Sequence, residues 1–588
     1  MDPQVTSMVE PESVPLLSHS SFHGELVRVG NGGDTVKVHL DTPGFSKHNN
    51  VPGNLSEQPW TLVTGERLQN LAYRAVKEVS HFLRPAHLAS LRHILDDPEA
   101  SPNDRFVAHD LLSNAVISSR EVLPMCQDTG TLIIHARRGH RILTDGEDKT
   151  WLSRGIKQAF EELNLRYSQL YPLSTFEEAN TNTNLPAQIH IETAPGAEYE
   201  FLIMAKGGGS ANKSFLYQAN RSVLEQDRML DFIEEKIADI GTSACPPYHL
   251  AVVIGGTSAE ECLQTAKLAS AHHLDHLPTK PSALSWSLRD PDLEQRILTM
   301  TQRSGIGAQF GGKYFCHDVR VIRMPRHNGS LPIAIAVSCS ADRQLEARID
   351  GTGTWIEALD HEPERYLPRT STTTKDFDSN EPRSQVRCID LNQPMSQILA
   401  ELAECDLGQR VSLSGTLVVA RDLVHAELRR MIEAGSELPD WIKDHPVYYA
   451  GPSRTPREGR YATGSFGPTT AGRMDSYMDL LQSHGGALVS LAKGNRSTEV
   501  AEACGRHGGF YLGAIGGPAA RLAEDCIIDS RVIGFEDFGM EAARAITVID
   551  MPAFVVINHH GEDFYRQIST GQQAFGPSIP FRDTNAQA

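Results

Sequence analysis

One break in the hydrophobic pattern divides the sequence into two parts. From Asp360 to about Pro394 the regular recurrence of apolar residues stops, and the segment carries several prolines and a run of serine and threonine. A single hydrophobic core rarely extends beyond about 250–300 residues, so a chain of 588 residues needs more than one. We therefore predict a linker at 361–394, between a first domain at 56–360 and a second domain at 395–588.

Both parts have the pattern of mixed α/β domains. Apolar residues at helical spacing predict two helices between Leu68 and Leu95, and Pro85 opens the second. Further helices are predicted after Asp422, over 498–507, and from a capping box at 257–260. The predicted strands are 189–193, 199–204, 250–254, 319–322 and 333–337 in the first part, and 411–419, 487–491, 510–514, 531–535 and 554–557 in the second. The predicted fold class is α/β, with two mixed α/β domains joined by the linker.

The N-terminal segment carries little periodicity. Residues 1–55 are rich in Pro, Ser, Gly and Asn, which predicts a mobile arm. The first 27 residues contain no Lys or Arg, unlike a mitochondrial presequence or a secretory signal. We therefore expect a cytoplasmic location, and a mitochondrial one is the alternative.

Charge and hydropathy narrow the range of partners. The formal net charge of −19 disfavours a nucleic-acid partner, because a polyphosphate would be repelled. No apolar run approaches the roughly 20 residues of a membrane-spanning helix, so no membrane partner is expected. An anionic substrate would need basic side chains concentrated in one site.

Three cysteines, Cys126, Cys245 and Cys339, stand in short runs of small, glycine-rich or hydroxylated residues. The chain has no Cys-x-x-Cys pair, which disfavours zinc. Three thiolates can instead hold a cubic iron-sulfur cluster by three of its irons and leave the fourth open as a Lewis acid. The other cysteines are predicted to be core residues, with a core position favoured for Cys316 although it follows a glycine loop; they are Cys262, Cys316, Cys388, Cys405, Cys504 and Cys526.

Two glycine loops could bring backbone close to a ligand. The loop 205–214 looks like a phosphate-binding loop, but Asn212 stands where that motif needs a glycine, which disfavours a nucleotide. Its exposed N–H groups and polar side chains suit a carboxylate. The second loop, 304–313, has a functional role or serves tight packing near the cluster, and the sequence favours neither.

Three arginines near such motifs suit a dicarboxylate, which needs two bidentate partners: Arg166, Arg421 and Arg473. Each alone is more often a surface or ion-pairing residue than a ligand clamp, because a guanidinium serves structural carboxylates equally well. Lys493 ends a predicted strand and enters a loop, and a solvated surface lysine is the alternative interpretation.

Several long motifs occur in one order along the chain, among them Cys126–Thr131, Cys245–His249, Ser338–Arg343, Tyr449–Pro452 and Gly464–Asp475. With these motifs the sequence resembles class I fumarate hydratases, the oxygen-sensitive iron-sulfur fumarases, and is similar to the kinetoplastid members. The resemblance spans about residues 60–570.

The resemblance implies reversible hydration of fumarate to (S)-malate at an open iron of a 4Fe-4S cluster held by Cys126, Cys245 and Cys339, with the active site at the interface between the domains. It also implies a homodimer. The substrate-binding residues implied in the first domain are Gln127, Asp128, Arg166, Gly209, Asn212, Lys213, Ser214, Phe215, Leu216, Tyr217 and Gln218. Those implied in the second domain are Arg421, Thr469, Thr470, Ala471, Gly472, Arg473 and Lys493.

The resemblance places Thr469 as the base that removes the C3 proton of malate, with Asp128 accepting the proton and His327 supporting it. A threonine hydroxyl is a poor base alone, so Asp128 is needed. An iron-sulfur tartrate dehydratase is the alternative enzyme. A redox or iron-sensing protein is the alternative from another class, but such clusters normally take four protein ligands.

Overall fold

The computed structural model describes residues 25–31, 34–36, 60–282, 285–368, 386–457, 459 and 461–570. The rest of the predicted arm at 1–55 and half of the predicted linker, residues 369–385, lie outside the described residues. Three pieces of these segments belong to sheets, and one of them, Asp34–Val36 of the predicted arm, pairs with Trp60–Leu62. Leu26–Asn31 pairs with Gly353–Glu357 in the first part, so this piece of the predicted arm is a strand. Arg387–Asp390, inside the predicted linker 361–394, pairs with Arg410–Val419 in the second part.

Helices and strands are interspersed along the first part of the chain. The strands are β1 (Leu26–Asn31), β2 (Asp34–Val36), β3 (Trp60–Leu62), β4 (Thr131–Gly139), β5 (Ile142–Leu143), β6 (Leu170–Pro172), β7 (Glu178–Asn180), β8 (Gln188–Ala194), β9 (Tyr199–Lys206), β10 (Phe215–Ala219), β11 (Tyr248–Gly256), β12 (Leu288–Arg289), β13 (Cys316–Arg326), β14 (Leu331–Ser338), β15 (Gln344–Ile349) and β16 (Gly353–Glu357). The helices are α1 (Gly65–His81), α2 (Pro85–Asp96), α3 (Pro102–Ser118), α4 (Asp148–Glu162), α5 (Gly208–Ala211), α6 (Gln226–Ala238), α7 (Ala259–Ala269) and α8 (Pro291–Arg303).

The second part is built in the same mixed way. Its strands are β17 (Arg387–Asp390), β18 (Arg410–Val419), β19 (Val447–Tyr448), β20 (Ala450–Pro452), β21 (Phe466–Pro468), β22 (Val489–Ala492), β23 (Phe510–Gly513), β24 (Ile527–Gly534) and β25 (Ala543–Ile557). Its helices are α9 (Met395–Ala403), α10 (Asp422–Glu433), α11 (Asp440–Asp444), α12 (Asp475–Ser483), α13 (Thr498–His507), α14 (Ala519–Arg521) and α15 (Phe564–Ser569). The α/β composition predicted from the sequence is confirmed. None of the described helices is long and apolar enough to cross a membrane.

The first part contains two larger sheets. One has six strands in the order β1-β16-β15-β9-β4-β8, and α1 and α4 pack on it through a shared apolar cluster. The other has five strands in the order β10-β14-β11-β13-β12. Its strand β11 is buried along its whole length because helices cover both faces: Leu250 and Val252 pack towards α6 and α8, and Ala251 and Val253 pack towards α7.

The sheet of the second part closes on itself. Its seven strands follow the order β17-β18-β19-β22-β23-β25-β24, and β25 also pairs with β18. Phe554 of β25 is opposite Arg410 on one side and Gly513 on the other. The strands β18, β19, β22, β23 and β25 therefore form a ring with an apolar interior.

The two parts share a hydrophobic core. Phe310 of the first part stacks on Phe554 of the second with ring centroids 3.9 Å apart, and Phe106 approaches Phe554 edge-on. A Cβ added to Gly513 would lie 2.3 Å from the Phe310 ring, so only glycine allows this approach. The loop 304–313, which carries Phe310, therefore serves packing between the two parts.

The capping box predicted at 257–260 is displaced by one residue. Ser258, not Thr257, is the N-cap of α7, and its Oγ accepts the N–H of Glu261 at 3.1 Å. The Glu261 carboxylate accepts both the N–H and the hydroxyl of Thr257 at 2.6 Å. Thr257 and Ser258 are adjacent, as are Glu260 and Glu261, so the sequence allows the helix to begin after either hydroxyl residue. The hydrogen bonds of Glu261 select Ser258 as the N-cap.

A buried ion pair joins α2 to β16. Arg84 Nε donates to Glu357 Oε1 at 2.8 Å, Nη2 donates to Oε2 at 3.1 Å, and neither side chain is exposed. Arg84 Nη1 also donates to the carbonyl of Ala271. Because the guanidinium is fully desolvated, burying its positive charge is costly. The Glu357 carboxylate offsets this cost.

We expect Glu357→Gln to lower the free energy of unfolding of the first part by about 3–5 kcal/mol, because it removes the carboxylate that bonds two nitrogens of the buried Arg84 guanidinium. The change is measured as the midpoint of the urea transition by far-ultraviolet circular dichroism. Glu161→Gln is the control, since it breaks the exposed Lys157–Glu161 pair of α4, and exposed pairs contribute about 1 kcal/mol or less. Equal midpoints for the two variants would contradict the assigned role of this pair.

Candidate functional site

The three motif cysteines lie at the ends of separate elements. Cys126 precedes β4, Cys245 lies between α6 and β11, and Cys339 directly follows β14. The Nζ of Lys493 lies 2.9 Å from Cys245 Sγ, and the thiols of Cys126 and Cys339 are close enough to act on its charge. Burial lowers the pKa of Lys493, but Cys245, Cys126 and Cys339 act together to raise it above its usual value. The structure thus brings these four side chains from both parts of the chain together.

Hydrogen bonds fix the loop that carries Cys245. Its backbone has a φ of +65°, in the left-handed region, and its N–H donates to the carbonyl of Thr242. The neighbouring loop is tied to it because the N–H of Ser340 donates to the Cys245 carbonyl at 3.0 Å. Gln309 Nε2 donates to the carbonyls of Pro246 and Gly516. The second glycine loop therefore positions Cys245 through Gln309.

Cys245 is buried and Cys126 and Cys339 are half-buried, and positive charges lie near Cys245 and Cys126. Burial raises the pKa of Cys245 to about 11, and Lys493 opposes this rise. Burial also raises the pKa of Cys126, and Arg343 opposes it. Positive charges are therefore placed where thiolates would need them.

Asp128 is held as a carboxylate next to the first glycine loop. Gly208 N–H donates to Asp128 Oδ2 at 2.7 Å. Burial raises the pKa of this carboxyl, but Arg166, Arg343, the Gly208 N–H and Lys493 together bring it below its usual value. A Cβ added to Gly207 would lie 3.1 Å from Asp128 Oδ2, so the loop approaches the carboxylate closely.

Thr469 lies in the second part, next to the cysteine loops. Arg473 Nη2 donates to Thr469 Oγ1 at 2.7 Å, and Lys493 N–H donates to the Thr469 carbonyl at 3.2 Å. Gln127 connects the parts: its Nε2 donates to the carbonyl of Pro468 at 3.1 Å, and its Oε1 accepts from Cys126 Sγ at 3.5 Å. The Thr469 segment is therefore tied to the Cys126 loop.

The residues that follow Thr469 form a short turn against Lys493. Thr470 bridges to Lys493, and Ala471 N–H donates to the Lys493 carbonyl at 2.9 Å. Ala471–Met474 forms one 3₁₀ turn, which includes Gly472. Gly209 comes from the first part, and a Cβ added there would lie 3.5 Å from Lys493 Nζ.

The three predicted arginines are close enough to repel one another. Burial lowers the pKa of Arg421 to about 10; Glu541 opposes this, whereas Arg166 and Arg473 lower it further. Arg421 lies 3.0 Å from Glu541. Arg473 Nη2 also lies 3.2 Å from Asp422 Oδ2, so carboxylates of the second part balance part of this positive charge.

The other predicted substrate-binding residues of the first part are residues 212–218, between Cys126 and Cys245 in the sequence. Lys213 Nζ donates to the carbonyl of Asp239 at 2.6 Å, and Ser214 Oγ to that of Ser210 at 3.4 Å. The residues from Phe215 to Gln218 form most of β10, which pairs antiparallel with β14 and so runs away from Cys339. This strand includes Leu216 and Tyr217, and Asn212 precedes it. A role for these residues in substrate binding stays a prediction.

His327 lies in the exposed turn between β13 and β14, where its Nδ1 accepts the N–H of Gly329 at 3.1 Å. This turn is at the opposite end of β14 from Cys339. The strand Leu331–Ser338 spans about 23 Å at roughly 3.3 Å per residue. Within this chain the structure does not bring His327 to Asp128, and its supporting role stays a prediction.

Sequence reasoning did not single out Arg343 or Gln309. Arg343 acts on both Cys126 and Asp128, and its Nη2 would lie 3.3 Å from a Cβ on Gly207. Arg343 is the last residue of the Ser338–Arg343 motif, which contains Cys339. An arginine this near a motif cysteine in the sequence could have indicated a role in the site. Of the cysteines predicted to be core, Cys388 is exposed on β17, so that prediction is wrong for it; the others are buried.

The chain matches known protein families over most of its length. Residues 69–348 match the family described as fumarate hydratase (fumerase), and residues 353–568 match the fumarase C-terminus. The chain is 51% identical over 512 residues to the anaerobic class I fumarate hydratase of Escherichia coli (strain K12), covering 87% of this chain and 92% of the relative. It is 52% identical over 508 residues to fumarate hydratase 2 of Leishmania major, covering 86% of this chain and 87% of the relative. It is 53% identical over 500 residues to the mitochondrial fumarate hydratase 1 of Leishmania major, covering 85% of this chain and 89% of the relative. The chain therefore belongs to the class I fumarate hydratase family, and it is an enzyme that hydrates fumarate.

Proposed function

We propose that fumarate and (S)-malate bind between the two parts of the chain, beside a 4Fe-4S cluster held by Cys126, Cys245 and Cys339. The observation that carries this proposal is the convergence of the three thiols on Lys493. Fumarate hydration as such follows from the family. The location of the site, the cluster type and the residue roles are the proposed detail.

The residues around the thiols fit an iron-sulfur cluster. Three thiols from separate loops all act on the charge of Lys493, and Lys493 and Arg343 supply positive charge that stabilises thiolates. Glycine leaves the necessary room, since a Cβ on Gly516 would lie 2.4 Å from Cys245 Sγ. When bound, a cluster with three protein ligands supplies a Lewis acid at the iron that has none.

The arginines and Lys493 hold the two carboxylates of the substrate. Arg166 and Arg473 both act on the guanidinium group of Arg421, and a dicarboxylate placed among them relieves that repulsion. Arg421 is nearly buried, so its bond to a carboxylate forms away from bulk water. These contacts fix the substrate carbons relative to Thr469.

Thr469 removes the C3 proton of malate, and Asp128 accepts the proton that the hydroxyl gives up. Arg473 donates a hydrogen bond to Thr469 Oγ1, which stabilises negative charge on that oxygen. Asp128 stays ionised because the positive groups around it outweigh its burial, so it can accept a proton. In the direction of hydration the same proton returns to C3 through Thr469.

Assembly and location complete the proposal. We propose a homodimer in the cytoplasm, with a mitochondrial location as the alternative. A small dicarboxylate is then the expected partner, and neither nucleic acid nor a membrane is expected.

We expect the protein purified without oxygen to convert malate to fumarate, measured as a rise in ultraviolet absorbance, and to contain equal amounts of iron and sulfide in the cluster. L-Tartrate in parallel tests the alternative dehydratase. A brown protein that acts on tartrate and leaves malate unchanged would refute the assignment of the substrate. A protein without iron and sulfide after cluster reconstitution would refute the cofactor.

We expect Thr469→Ala to lower kcat by about 10²–10⁴-fold, the usual contribution of a general base. Thr469→Ser keeps a hydroxyl within reach of Arg473 and should retain most of the activity. Both variants should keep the same iron and sulfide content as the unmodified protein. A base at another position is indicated if the alanine variant has unchanged kcat.

We expect Gly516→Ala to lower the iron and sulfide content severalfold, because the added Cβ would displace Cys245 Sγ and contact Lys493. Gly534→Ala on β24 is the control, because its Cβ would meet only Trp441, at 3.8 Å. Cluster content is measured by iron and sulfide analysis and by the visible absorbance. A full cluster in Gly516→Ala would count against Cys245 as a ligand.

A further inference from the structure

Three buried or partly buried side chains outside the proposed active site meet at one point. His249 lies on β11, His272 follows α7, and Asp318 lies on β13. We propose that His249 Nδ1, His272 Nε2 and Asp318 Oδ2 bind one divalent transition-metal ion, Zn²⁺ or Fe²⁺. This site is separate from the cluster and does not depend on the proposed function, because none of its ligands is one of the three cysteines.

The spacing of the three atoms suits a metal ion. His249 Nδ1 lies 3.0 Å from Asp318 Oδ2 and 3.1 Å from His272 Nε2, and His272 Nε2 lies 3.4 Å from Asp318 Oδ2. Ligands about 2.0–2.1 Å from a tetrahedral zinc are separated by roughly 3.3–3.4 Å. The triangle is therefore nearly of the size that three ligands of one ion occupy.

Hydrogen bonds on the far side of each ring set the tautomer that a metal requires. His87 Nε2 lies 2.9 Å from the carbonyl of Ser340, which only accepts, so this nitrogen carries a hydrogen. In a neutral ring, His87 Nδ1 then accepts from His249 Nε2, at 2.9 Å. A neutral His249 consequently directs the lone pair of Nδ1 towards Asp318.

The same reasoning applies to His272. Its Nδ1 lies 3.1 Å from Asp275 Oδ2, and a carboxylate accepts, so Nδ1 carries the hydrogen. Neutral His272 thus directs the lone pair of Nε2 towards Asp318 and His249. When both rings are neutral, three electron pairs face one another, and either a proton on His272 Nε2 shared with Asp318 or a bound cation removes the repulsion between them. The arrangement of carboxylate, histidine and metal is the usual one around metal-binding imidazoles.

The surroundings stabilise the ligands. Arg320 donates to both oxygens of Asp275, at 2.6 and 2.9 Å, and so fixes the carboxylate that orients His272. Both histidines are buried, whereas the Asp318 side chain is 24% exposed and offers a route for an ion. No donor in the described part of the chain lies within hydrogen-bond distance of Asp318 Oδ1, although Arg320 Nη1 lies 3.8 Å away. Two imidazoles and one carboxylate are ligands that zinc and ferrous iron both accept.

The test measures iron, sulfide and zinc per chain in protein purified without oxygen and without chelator, then incubated with Zn²⁺ or Fe²⁺ and desalted. We expect one ion per chain in addition to the iron that matches the sulfide. X-ray absorption at the zinc edge of the unmodified protein should show nitrogen and oxygen ligands at about 2.0–2.1 Å and no sulfur. If the ion is iron, Mössbauer spectra should show a high-spin ferrous doublet beside the cluster.

Two variants assign the ligands. His272→Gln and Asp318→Asn should lose the additional ion and keep their sulfide content, whereas the control His276→Gln, four residues from His272, should keep both. The proposal is overturned if no additional ion binds, if zinc has sulfur ligands, or if both ligand variants retain the ion. If a variant does not fold, the absorption spectrum of the unmodified protein still decides. Sulfide content and malate conversion in the same samples report separately on the proposed function.

Discussion

The interaction of the Lys493 ammonium with the cysteine thiols, through a contact with Cys245 and the nearby charges of Cys126 and Cys339, is the one on which the site depends. A buried ammonium without a counter-charge costs several kcal/mol, so Lys493 is stable there only while the cysteine loops face it. Lys493 belongs to the second part, and the cysteines belong to the first. The contact therefore requires the two parts to keep a fixed relation, which the core around Phe310 and Phe554 supplies.

The positive side chains around the site form two groups, which act on different residues. Lys493 and Arg343 act on the thiols and Asp128, whereas Arg166, Arg421 and Arg473 lie close enough to repel one another. We infer that the first group stabilises thiolates and that the second group binds the substrate dianion. This division explains how a chain with a net charge of −19 binds a dicarboxylate: its positive charges are concentrated where they are needed.

Elements with a clear apolar period were predictable, and elements with buried charges were not. The helices at 65–81, 85–96 and 498–507 follow from helical spacing, and β11 follows from its continuous apolar run. Strands β15 and β16 were missed because each carries a glutamate that interrupts the pattern. Glu346 pairs with His273 and Glu357 with Arg84, partners far away in the sequence, and such pairing allows a charge to enter the core.

The sequence by itself determined the family, the three cysteines, and the motifs that carry Asp128, Thr469 and Arg473, because each motif is contiguous and can be recognised without its neighbours in space. Only the tertiary structure decided that Arg343 acts on Asp128, that His327 lies at the far end of β14, and that His249, His272 and Asp318 meet. These relations join residues on different elements. They arise from strand pairing and helix packing, which contiguous motifs do not specify.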